Sequence, residues 1–305
     1  MEHPGTDRTQ GMLPRLLDVT GRLLVAGGLL LLAFTAYQLW GTGIEQARSQ
    51  RVLERQFEDQ SAESALVTDT TQQPGTTTVP RVPVPGDSVG RIEIPSLGVS
   101  EWMVAGARLS DLEKGPGVFA GSVLPGQTGN LAVAGHRTSY GAPFGDLDRL
   151  REGDDIIFTT AGGTFTYVVT GSKVVPPTDV GVLAQTKDSA IATLVTCHPK
   201  WTSKNRLIVT AELEPVHEPA APTPIAETGT DGTEQITPGW WHDRSRILPT
   251  ITWSVALLVI WAAARRLARG GWGRRAGVWG IATVLFVPSL YMMFANLSGL
   301  LPANL

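Results

Sequence analysis

Cys197 is the only cysteine among 305 residues, so it has no partner for an intramolecular disulfide. It closes an apolar run, Ile191-Ala192-Thr193-Leu194-Val195-Thr196-Cys197. Nine positions on, Arg206 opens another, Leu207-Ile208-Val209-Thr210-Ala211. A thiol at a strand tip, with a permanent cation at the mouth of the next strand, is suited to nucleophilic catalysis. A protonated thiol, with an ordinary pKa of about 8.5, attacks poorly, and a nearby positive charge favours the thiolate. His136 ends a third apolar run, Leu131-Ala132-Val133-Ala134-Gly135, and can serve as acid and base. Arg206 carries several donors for a developing oxyanion or a substrate backbone. Nucleophile, acid/base and electrostatic clamp together suffice for acyl transfer through a thioester. His198 also adjoins the thiol, but neighbours on a strand point to opposite faces, which ranks it below His136. Taken singly, these residues have ordinary explanations: a small buried hydrophobe, a hydrogen-bonded histidine, an edge charge. No Cys/His cluster has ligand spacing, so neither metal nor cofactor is expected.

The elements that must position these groups lie in the 88–214 segment. Short β-type runs divided by turn residues occupy Val89–Ile94, Val99–Ala105, Asn130–Gly135, Asp155–Thr159, Phe165–Val175, Ile191–Cys197 and Arg206–Leu213. Gly162-Gly163 is placed as a hairpin turn. Such spacing predicts an all-β, closed or nearly closed barrel, with short helices only at Ser110–Lys114 and around Phe144–Leu150. Strand ends at the barrel rim are where the distant side chains are expected to converge.

The flanks differ in composition. Leu23–Trp40 holds 18 residues without a charge, close to the roughly 20 that span a bilayer, and its aromatic end fits a retained anchor better than a cleaved signal peptide. Two further apolar stretches, Ile247–Ala264 and Val278–Phe294, enclose an eleven-residue loop, 265–275, with five arginines and no acid. The positive-inside rule assigns that loop and the 1–22 tail to the cytoplasm. The predicted order is therefore transmembrane helix 23–40, external stalk and Pro/Thr-rich linker 41–87, catalytic domain 88–214, external linker 215–246, helices 247–264 and 276–295, and external tail 296–305. That makes a multi-pass membrane protein whose catalytic domain lies outside. A net charge of −3 and no basic patch beyond the loop argue against a nucleic-acid partner.

Thr193-Leu194-Val195-Thr196-Cys197 followed by Arg206 resembles the TLxTC…R signature of the sortases, and Gly135-His136 resembles their catalytic histidine. The run Ala134-Gly135-His136-Arg137-Thr138-Ser139-Tyr140-Gly141-Ala142-Pro143-Phe144, with Thr196-Cys197-His198-Pro199, is similar to class E of Gram-positive bacteria. The resemblance implies an eight-stranded barrel and a cysteine transpeptidase. Cys197 would cleave an LPxTG- or LAxTG-type sorting signal after Thr, and an amine of a peptidoglycan precursor would resolve the thioester. The partners implied are surface proteins bearing that signal and the membrane. His136 would be general acid then base, and Arg206 would steady the scissile region. Thr196, Phe119 and Tyr140 are the candidate substrate-binding residues. Phe119 stands where class E members commonly carry a tyrosine linked to a preference for Ala, which leaves both motifs open.

Two other functions use the same residues: a secreted thiol endopeptidase or amidase, and a non-catalytic wall-binding module with an inert thiol. The order His…Cys with Arg after Cys fits the transpeptidase better than hydrolases in which Cys precedes His.

Overall fold

The computed structural model describes residues 12–70, 83–215, 219–225 and 244–300. Eight strands close into a barrel in the order β1-β2-β3-β4-β7-β8-β6-β5. They are β1 Ser88–Ile94, β2 Val99–Ala105, β3 Gly117–Val118, β4 Gly129–Ala134, β5 Asp155–Thr160, β6 Gly163–Val175, β7 Ala190–His198 and β8 Asn205–Leu213. The neighbours β2–β3 and β4–β7 are parallel, and the remaining pairs are antiparallel.

Seven strands fall on the runs that alternation marked. β3, two residues long, does not, because two residues carry no periodicity. The β5–β6 hairpin turns through Ala161-Gly162, and Gly163 already pairs with Thr160. A one-turn helix, α3, spans Leu109–Leu112, and a 3₁₀ turn spans Leu147–Arg149.

Alternation sorts the wall into two faces. Leu131 and Val133 of β4, Ala192 and Leu194 of β7, and Leu207 and Val209 of β8 enter the interior with Ile92, Met103, Phe158 and Tyr167. Their neighbours Ala132, Ala134, Val195, Cys197 and Ile208 form a second cluster on the outer side with Leu112 and Phe119. Burial of both faces of β4 and β7 explains why these strands read as continuous apolar runs rather than alternating ones.

The charged 45–63 stretch, expected as a helical stalk continuing the first membrane helix, is helical and continues it, but it does not stand free. α1 (Met12–Ala36) passes through a π-helical turn, Tyr37–Gly41, directly into α2 (Thr42–Thr70). A Cβ on Gly41 would lie 2.4 Å from the Tyr37 ring, so glycine lets that ring fold back over the turn. Far from standing free, α2 docks on the barrel. The Gln50 amide accepts from Trp102 N at 2.6 Å and donates to the Trp102 and Lys114 carbonyls, both at 2.9 Å. Gln46 donates to Glu101 at 2.7 Å, and the rings of Phe57 and Trp102 meet at 5.0 Å.

Part of the expected 215–246 linker is also docked. Ala220 pairs with Gly126 and Thr128, and Ile225 is buried in the barrel core, bonded to Ser122 and Gly121. The 71–82 spacer, 226–243 and the 301–305 end of the tail lie outside the described residues.

α4 (Ile247–Leu267) and α5 (Trp272–Ser298) complete the chain. Three helical stretches, Leu16–Ala62, Arg244–Leu267 and Trp272–Ser298, are long and apolar enough to cross a membrane. They meet through Tyr37, Leu257, Met293 and Phe294, with Phe34 edge-on to Phe294 at 5.2 Å.

Candidate active site

The outer face of β4–β7–β8 carries the chemistry. Cys197 is directly opposite Arg206 in the β7–β8 ladder, and the guanidinium Nη1 donates to its sulfur at 3.4 Å. The same nitrogen donates to the carbonyls of Ser203 (3.1 Å) and Asn205 (3.2 Å), which fixes its height above the strand. A permanent positive charge is thereby held against the thiol in a site where Cys197 is 1 % and Arg206 3 % exposed. Low solvent access strengthens that interaction relative to water.

The parallel β4–β7 ladder delivers the histidine. Ala134 is level with Val195. Past the strand end, Gly135 N donates to Val195 O (3.0 Å) and the Thr196 hydroxyl to Gly135 O (2.8 Å). Continuing that count brings residue 136 level with Cys197. Gly135 is required sterically: a Cβ there would lie 2.6 Å from the ring of fully buried Phe144, whose N–H donates to His136 O at 3.1 Å. Ser139 Oγ lies 3.4 Å from His136 Nδ1, and the Tyr140 ring packs against the imidazole at a 32° tilt with centroids 5.0 Å apart.

A shallow, mostly apolar cleft runs beside this set. Phe119, Val182, Leu183 and Ile208 line it, and Thr196 and Arg206 supply polar atoms at its edge. The cleft thus lies on the barrel's outer wall under the β6–β7 connection, next to the strand ends that carry Cys197, Arg206 and His136. Of the three residues expected to bind substrate, Phe119 and Thr196 border this cleft and Tyr140 does not. The Tyr140 phenol instead donates to Glu113 Oε1 at 3.2 Å and lies 3.5 Å from Ser298 Oγ. Burial, then the Glu113 carboxylate, keep that phenol protonated far above its ordinary range.

Sequence reasoning missed Arg137. Its guanidinium is 3 % exposed, pairs with Asp148 at 2.7 Å, and donates to Cys197 O (2.9 Å) and His198 Nδ1 (3.1 Å). It holds the nucleophile's backbone and occupies the competing histidine. A charge beside His136 was visible in the sequence; its burial and its contacts with Cys197 and His198, about 60 residues away, were not. Among the described residues no group of three or more His, Cys, Asp or Glu could hold a metal.

Comparisons with known proteins match this picture. A family model described as the Sortase domain covers residues 92–214. Sortase D of Bacillus subtilis is 25% identical over 176 residues, 58% of this chain and 86% of that protein. Sortase SrtE2 of Streptomyces coelicolor is 27% identical over 226 residues, 68% of this chain and 86% of that protein. A solved Clostridium perfringens sortase D5 transpeptidase is 29% identical and covers 55% of this chain and 99% of its own, with a TM-score of 0.46.

Proposed function

The chain belongs to the sortase family, and from that premise we propose that it is a cysteine transpeptidase using Cys197, His136 and Arg206. The carrying observation is the Arg206 guanidinium 3.4 Å from the Cys197 sulfur, beside the β4 strand whose end leads into His136. The Cys197 thiolate attacks the Thr carbonyl of an LPxTG- or LAxTG-type sorting signal. Arg206 stabilises the oxyanion, His136 protonates the departing Gly amine as the C–N bond breaks, and a thioester remains. An amine of a peptidoglycan precursor then attacks. Its proton passes to His136, a new amide forms, and the C–S bond breaks. Phe119 and the cleft beside it suit the apolar side chain of the signal, with Thr196 at its edge. No cofactor enters these steps.

The domain works outside the cell and is tied to the membrane by three helices, with the arginine loop 265–275 in the cytoplasm. Incubating the full chain in detergent with LAxTG and LPxTG peptides and an added amine, followed by mass spectrometry, tests the reaction. The peptide–amine conjugate is expected. Free acid as the sole product would identify a thiol hydrolase instead. The 1 % exposure of Cys197 favours a third function, a non-catalytic module. Cys197→Ala is expected to abolish conjugation while the domain stays folded; conjugation by that variant would remove the mechanism.

A further inference from the structure

The loop that bears His136 is held from outside the barrel, at points far apart in sequence. Tyr140 N donates to Thr42 Oγ1 at 3.1 Å, the first residue after the π-helical turn. Gly141, at φ +73°, approaches Gln46 so closely that a Cβ would lie 2.7 Å from its amide oxygen. Tyr140, at φ +47°, packs its ring against the imidazole at a 32° tilt, and its hydroxyl reaches Glu113. The second oxygen of Glu113 accepts from Arg246 Nη2 at 2.7 Å, at the start of α4. Arg246 Nη1 donates to Ala295 O (3.3 Å), and Ser298 Oγ at the end of α5 lies beside the phenol.

We propose that Glu113, Tyr140 and Arg246 are positioning residues through which the C-terminal helix pair sets the orientation of His136. The proposal rests on His136 being the acid/base. Glu113 uses both oxygens, one on each partner, and the side chains of Arg246 and Glu113 are 24% and 18% exposed, so solvent screens the pair less than a surface ion pair. Rotation of the phenol changes the surface against which the imidazole lies. A device that only fastened helices to the barrel would have no need to run through the ring packed against that histidine.

The test compares the full chain with Tyr140→Phe, Glu113→Gln, Arg246→Ala and Arg246→Lys for transpeptidation in detergent, with thermal unfolding of each variant. Tyr140→Phe keeps the ring contact and removes one oxygen, so it reports even if another variant fails to fold. A misplaced acid/base lowers turnover rather than binding. Folded Tyr140→Phe and Arg246→Ala are therefore expected to lose about tenfold or more in kcat with KM within about twofold. Their pH–rate limb should move, and Arg246→Lys should recover most of the loss. Parental kcat and pH profile in folded Tyr140→Phe or Arg246→Ala, or a loss that only tracks the unfolded fraction, would overturn the proposal. His136→Ala is run in parallel: if it keeps full activity, the acid/base assignment fails, a result separable from the others.

Discussion

At the scale of single residues, Arg206 and Gly135 constrain the chemistry most sharply. The two N–H groups of Arg206 Nη1 are shared among the Cys197 sulfur and two backbone carbonyls, and the long planar guanidinium brings them there. An ammonium is a shorter, differently shaped donor. Arg206→Lys is therefore expected to lower kcat by about 10²–10³, the usual loss on removing an oxyanion donor, and steady-state kinetics of peptide–amine formation will show it. Near-normal turnover would make Arg206 peripheral. Gly135→Ala puts a methyl against the ring of Phe144, which is fully buried and cannot swing away. Displacement of the His136 loop should cut kcat about 100-fold with smaller loss of fold, comparing kinetics with thermal unfolding. Cys197, His136 and Arg206 were legible because their types are scarce and each ends or begins an apolar run. Arg137 and Glu113 were not, since a charge reveals its partner only when folding closes gaps of 60 and 133 residues.

Among the elements, strands were legible wherever five or more residues carried a pattern, and β3 was not. The docking of α2 escaped notice because its charged composition fits a solvated stalk equally well, while its contacts come from a few amides. Gln50 is the clearest of these. Gln50→Ala strands Trp102 N and the Trp102 and Lys114 carbonyls, and should cost about 1–3 kcal/mol, read as a lower thermal midpoint in detergent. Glu101, beside it, has its pKa pushed above the ordinary carboxylate range by burial, with the Gln46 amide partly opposing. The folded state then holds the proton to higher pH than the unfolded one, so this contribution is full at low pH and is lost as pH rises through the folded value. Glu101→Gln should flatten the fall in thermal midpoint as pH rises above the ordinary carboxylate value of about 4.3. An unchanged slope would assign that dependence to other groups.

For the whole molecule, three helix ends meet one side of the barrel. Thr42 lies under Tyr140, Arg246 pairs with Glu113, and Ser298 sits at the same phenol. If α1, α4 and α5 each cross the bilayer, residues 42, 246 and 298 are on one side of it. The chain between 246 and 298 then crosses twice, which sends 265–275 to the opposite side. The arginine count, through the positive-inside rule, supports a cytoplasmic loop without reference to any contact. Both arguments support the proposed topology. The single native thiol makes it testable with little background: in a Cys197→Ala chain, exposed Lys187 on the barrel and exposed Arg269 in the loop can each be changed to cysteine. A membrane-impermeant maleimide applied to intact cells is expected to label Lys187→Cys at once and Arg269→Cys only after permeabilisation. Labelling of Arg269→Cys in intact cells would separate the barrel contacts from the membrane crossing and leave the helix pair on the outer surface.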